Sequence, residues 1–175
     1  MNFFIIMEKR VRLYAYDYNE VRTYLWAALF VVCNMALPQV AHLVPQGGII
    51  FAPLSLVILV GACKLGWKTA LLAAVVSPLV NNIIFGMPAW DVLPIMAVKL
   101  AVLAIAAGLA VQRMQDVTLW LLCSVVLISE MLGGLAELAF TGGLAATIAD
   151  FTIGWPGLLL QVVGGYLIVN RIWKW

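Results

Sequence analysis

Apolar residues run along this chain in long blocks, and short polar or Gly/Pro-rich breaks separate them. The blocks cover about residues 23–44, 49–65, 67–86, 92–112, 117–140 and 154–172. Runs of roughly eighteen or more mostly apolar residues predict membrane-crossing helices. The breaks "HLVPQGG", "CKLGWK", "FGMPAWD", "QRMQD" and "TIADFTIGWPG" carry the punctuation expected of turns. The two-residue alternation of a transmembrane barrel is absent. The pattern predicts an all-α integral membrane protein with six transmembrane helices in a single compact bundle over residues 23–172. Residues 1–22 read as a cytoplasmic or interfacial lead-in. The stretch "MNFFIIMEKRVRLY" does not read as a signal peptide, because its apolar part is short and its basic cluster follows that part. Met7 is an alternative start.

Composition strengthens this reading. Of 175 residues, 65% are apolar and 10% charged, against about 25% charged in soluble domains. Basic residues then orient the helices. Lys9, Arg10, Arg12 and Arg22 precede the first block, and Lys64 and Lys68 lie between the second and third. Arg113 lies between the fourth and fifth, and Arg171 and Lys174 end the sixth. The remaining turns hold no Lys or Arg, so both termini are expected on the cytoplasmic side of a bacterial plasma (inner) membrane. Trp26, Trp67, Trp90, Trp120, Trp155, Trp173 and Trp175 all fall near block ends, where indole suits the headgroup region. The net charge of +2 forms no basic stripe for nucleic acid. Cys33, Cys63 and Cys123 have neither metal spacing nor a disulfide framework.

The charges inside the blocks break the pattern. Lys99 sits about 12 Å into the fourth helix, eight residues after Asp91. Glu130 and Glu137, in "LLCSVVLISEMLGGLAELAF", project from one helix face with Gly133 and Gly134 between them. Small residues allow a close approach to that face. An ionised group facing lipid costs at least about 2.5–3.5 kcal/mol, so all three are expected to face inward. One reading pairs Lys99 with Glu130 merely to fix helix register. The other has them line a hydrated pocket and touch a ligand.

More polar residues gather at the same, outer end. These are Asn34, Gln39, His42 and Gln46 around Pro38 and Pro45, then Asn81 and Asn82. Thr147, Asp150 and Thr152 lie in the last outer turn, and Gln161 in the sixth helix. Trp90 and Trp155 flank this end and offer faces for stacking a flat ring. The inner half is nearly bare of such groups. The distribution predicts a cup open to the outside and closed beneath by apolar packing. His42 alone makes no metal site, which needs several ligands. No catalytic motif and no P-loop occurs, so no enzyme activity, cofactor or ATP hydrolysis is expected. Six short helices around one cup read as a capture subunit rather than a complete pump.

With these features the chain resembles the substrate-binding S components of energy-coupling factor (ECF) vitamin transporters. The resemblance rests on size, six helices with both ends inside, and "FAPLSLVILVGACKLGWKTALLAAVVSPLVNNIIFGMPAW", where Pro53, Gly61, Gly66 and Gly86 stand in comparable places. It implies high-affinity capture of a small water-soluble vitamin or precursor in the outer half of the membrane. By position it implies that Gln39, His42 and Gln46, Lys99, Glu130 and Glu137, and Gln161 contact the substrate. It also implies docking on a membrane T component coupled to two ATPase subunits. Many members carry an Ala-x-x-x-Ala face on the first helix; here Ala27, Ala28, Ala36 and Ala41 form no such pair, which leaves the coupling partner open. The rival expectations are a non-transport membrane scaffold of the MreD type, with polar residues serving helix packing, and an intramembrane enzyme using Glu130 as acid or base.

Overall fold

The computed structural model describes residues 14–41, 43–45, 47–141, 148 and 151–173. Helix α1 covers Val21–Ala41, α2 Gly47–Phe51, α3 Pro53–Leu65, α4 Trp67–Phe85, α5 Leu93–Met114 and α6 Leu119–Thr141. The last helix, α7 (residues 155–172), alternates between α register at Trp155–Leu159 and Gly165–Leu167 and π register at Leu160–Gly164 and Ile168–Ile172. Among the described residues there is no strand. Each predicted block holds a helix, with ends within about four residues of those expected. α1, α4, α5 and α6 are long and apolar enough to cross a membrane.

The second block differs from expectation because it is broken. Pro53 lacks an N–H and disfavours right-handed helix at the residue before it. Ala52 instead takes φ 40°, ψ 54°, a left-handed conformation. The chain therefore enters as the five-residue α2, turns at Ala52, and starts again as the 13-residue α3.

α3 is the centre of the bundle. Every residue from Val57 to Leu65 is buried, as expected of a helix apolar on all sides and packed against neighbours on all sides. α1, α4, α5 and α7 surround it, and α6 packs between α5 and α7. Trp26 and Phe30 of α1 meet Trp173 at ring-centroid distances of 5.4 and 6.3 Å, closing the ring. Small residues set the closest approaches. A Cβ on Gly108 of α5 would lie 2.6 Å from the Trp67 backbone nitrogen. One on Gly61 of α3 would lie 2.9 Å from the Phe30 ring.

The two ends of the bundle differ. At one end the described basic residues gather: Arg22, Lys64, Lys68, Arg113 and Arg171 all lie at helix termini there. The segment before α1 is strapped across this end. The Tyr14 and Tyr16 amides donate to the carbonyls of Lys64 and Leu65, and Lys68 bonds Asp17 at 2.7 Å while lying over the Tyr18 and Trp67 rings. Lys64, read from the sequence as an ordinary turn lysine, is buried beneath that strap. The opposite end, where α1 and α6 finish and α5 and α7 start, holds the candidate site.

Candidate functional site

The site follows from the short central helix. α3 has 13 residues, about 20 Å of helix, while α5 has 22, about 33 Å at the standard rise. The space above the α3 N-terminus is left open. It forms a cavity of about 470 Å³ with walls from Pro38 and Gln39, Ala52–Ser55, the α4–α5 turn, α5, α6 and the start of α7. That volume falls in the range of about 300–1,000 Å³ usual for small-molecule sites.

Three charged groups line it: Lys99, Glu130 and Glu137. Lys99 Nζ lies 2.7 Å from Glu137 Oε2, with both side chains largely buried. From the sequence, Lys99 lies about 12 Å into its helix, and Glu130 is the carboxylate offered as its partner. Side-chain direction explains why Lys99 reaches Glu137. Cα–Cβ bonds tilt toward the helix N-terminus, so Lys99 rises toward the open end on α5. Glu137 leans down on α6, which runs the opposite way. Lysine's long stem covers the remaining gap. The stem crosses Gly133, where a Cβ would lie 2.6 Å from Lys99 Cγ. The glycine between the two glutamates is thus the bed on which Lys99 lies.

The expected outer polar residues separate into three groups. Gln39 and Asn81 line the cavity with the three charged groups. Asn34 and Asn82 have structural partners instead. Asn34 Nδ2 donates to Ser77 Oγ at 3.0 Å, and Asn81 Nδ2 donates to the Asn34 carbonyl at 3.0 Å, stitching α1 to α4. Asn82 Nδ2 donates to the Pro88 carbonyl at 2.6 Å and ties down the α4–α5 turn, which contains a cis Met87–Pro88 bond. Gln161 is wholly buried in the first π segment of α7, and neither its amide nitrogen nor its oxygen has a hydrogen-bond partner among the described residues. It lies one turn beyond Leu158 rather than in the lining.

Trp90 and Trp155 lie outside the cavity lining. They are 70% and 57% exposed, and neither reaches the cavity. Their rings belong to the rim, where amphipathic indoles sit well. His42, Gln46, Thr147 and Asp150 lie outside the described residues, and Thr152 is exposed.

Sequence reasoning missed Ser55 and Ser129, which also line the cavity. Ser55 had a signal, since it follows Pro53 in the first turn of a restarted helix. Ser129 had none, because its hydroxyl donates to the Val125 carbonyl at 2.6 Å like any intrahelical serine. The remaining lining is mostly aliphatic, so the arrangement suits holding a molecule with a charged part and an apolar part. Among the described residues, no three His, Cys, Asp or Glu side chains form a group able to hold a metal. No family model, no curated protein and no solved structure matches the chain.

Proposed function

We propose that the protein is a membrane capture subunit that binds a small water-soluble molecule in the cavity above α3. The observation that carries this reading is a cavity of about 470 Å³ whose lining includes an ammonium and two carboxylates inside an apolar bundle. Ionisable groups within membrane helices mark ligand or ion pathways more often than they serve packing. Their position beside a cavity, not against lipid, favours the binding role.

In this reading α2 and α3 together form one crossing, α7 forms another, and the chain crosses six times with both termini cytoplasmic. The basic residues at the end opposite the cavity support that orientation. The cavity then opens to the exterior of a bacterial inner membrane. Resemblance to S components adds the energetic partner, a membrane T component with two ATPases, and the substrate class, a vitamin or its precursor.

One observation favours the scaffold reading: the Lys99–Glu137 pair joins α5 to α6 directly. The two readings part on ligand content. Native mass spectrometry of the purified protein is expected to show a co-purifying small molecule that Lys99→Ala or Glu130→Gln removes. A ligand at 100 times its Kd stabilises by about 2.7 kcal/mol, enough to read as a rise in melting temperature. An empty protein that no candidate solute stabilises is the scaffold outcome.

A further inference from the structure

Two uncharged polar groups of the cavity walls share one hydrogen-bonding sense, whatever the charged trio does. The reason begins at Pro38, inside α1. Proline has no N–H, so the carbonyl four residues before it, that of Asn34, loses its helical partner. Asn81 of α4 takes the vacated place, with its Nδ2 donating to the Asn34 carbonyl at 3.0 Å. The same nitrogen donates to the Ser77 carbonyl at 2.9 Å. A side-chain amide carries two N–H hydrogens, and both are thereby engaged. Neither carbonyl can donate, so turning the amide end for end would lose both bonds.

Asn81 is 4% exposed and lines the cavity. With its nitrogen held by backbone, only Oδ1 remains to meet an occupant. Asn34 Oδ1, behind it on α1, is sealed off without a partner, whereas Asn81 Oδ1 is not sealed. Ser129 on α6 has the same sense. Its one hydroxyl hydrogen goes to the Val125 carbonyl at 2.6 Å, which leaves lone pairs for the cavity it lines. Two walls thus offer neutral acceptors whose own hydrogens are engaged elsewhere. An occupant without a donor would cover these oxygens and leave them unpaired, the costly side of hydrogen bonding.

We infer that Asn81 is a specificity-determining residue of the cavity, whose Oδ1 accepts a hydrogen bond from the ligand. The ligand class is a small molecule that sets an N–H or O–H donor on an apolar body. This rests on the capture reading and narrows it: a molecule of the same shape that offers only acceptors is rejected. Pro38 is a positioning residue, because the bond it removes from α1 is the one that turns the Asn81 nitrogen away from the cavity.

A matched pair of probes tests this. 4-Cyclohexylcyclohexanol and 4-cyclohexylcyclohexanone have nearly the same size, and the oxygen is a donor only in the alcohol. Each is added to the full chain in lipid nanodiscs, with apparent affinity read from thermal shift. The alcohol is expected to bind at least about fivefold more tightly than the ketone. Asn81→Leu should bring the two to within about twofold of each other, which also removes any difference in their partition into lipid. Pro38→Ala returns an N–H to the Asn34 carbonyl and releases one amide hydrogen of Asn81, so it should lower the preference for the alcohol. The wild-type comparison decides the matter by itself should a variant fail to fold. Equal binding of the two probes to the wild type, or a preference unchanged in Asn81→Leu, overturns the acceptor role and leaves capture standing. A preference unchanged in Pro38→Ala overturns the positioning role of the proline. If neither probe binds, the acceptor role falls, while the co-purifying molecule remains the separate test of capture.

Discussion

Lys99 reaches Glu137 only because position 133 carries no side chain, so the ion pair and the glycine are one device. Gly133→Ala puts a methyl 2.6 Å from Lys99 Cγ and forces the stem aside. The expected result is a weaker Lys99–Glu137 contact and a loss of ligand affinity of about tenfold or more, about 1.4 kcal/mol. Retained affinity in Gly133→Ala would detach the pair from the site. Removing one partner of a buried pair costs about 3–5 kcal/mol, since the other charge stays behind. Lys99→Met and Glu137→Gln should each lower stability in a refolding titration. The double variant should cost less than the two singles added together, with a coupling of about 1–3 kcal/mol. Additive losses would mean that the two groups act separately. At the other end of the bundle, Lys68 and then the Tyr18 amide hold the Asp17 carboxyl below its ordinary value of 3.8. A depressed carboxylate stabilises the fold above its unfolded pKa, and the effect is lost as pH falls through the folded value. Protease cleavage in the segment before α1 should therefore increase below about pH 4 in the wild type, and Asp17→Asn should show the faster cleavage at neutral pH already.

At the scale of elements, the number and limits of the helices were legible because apolar blocks and Gly/Pro breaks are strong local signals. The gathering of Gln39, Asn81, Lys99, Glu130 and Glu137 in one cavity was legible for a related reason. In helices of similar length, distance from the nearest turn gives depth. The break at Ala52 was only half legible. Pro53 marked a helix start, but nothing local required the preceding five residues to form a separate helix. That Lys99 reaches Glu137 depended on side-chain tilt in two antiparallel helices, which linear depth ignores. Asn34 and Asn82 misled because an amide near a helix end looks the same whether it faces a cavity or stitches two helices together. α4 and α5 offer the test at this scale. Gly108→Ala places a Cβ against Trp67 backbone atoms that cannot move aside. Such overpacking costs about 1–3 kcal/mol. The variant should melt well below the wild type, whereas Ala106→Gly, at a half-buried position of the same helix, should cost only about 1 kcal/mol. Equal losses would remove the close approach as the cause.

The whole molecule is a ring of helices around one that is too short. A full-length apolar centre would fill the bundle and leave no cavity. A central helix that starts late leaves a recess at one end while packing the other end dry. The described basic residues and the recess lie at opposite ends, so a single orientation puts Lys and Arg on the cytoplasmic side and the recess on the exterior. The most direct measurement asks whether water reaches the recess, and from which side. In a chain with Cys33, Cys63 and Cys123 replaced by Ala, Met96→Cys is placed in the cavity wall and exposed to a membrane-impermeant thiol reagent, in intact cells and in inverted vesicles. Labelling in intact cells, with Leu122→Cys in the buried core unreactive, is the predicted result. A Met96→Cys that is inert from both sides, or reactive only in inverted vesicles, would contradict an exterior-facing binding cavity.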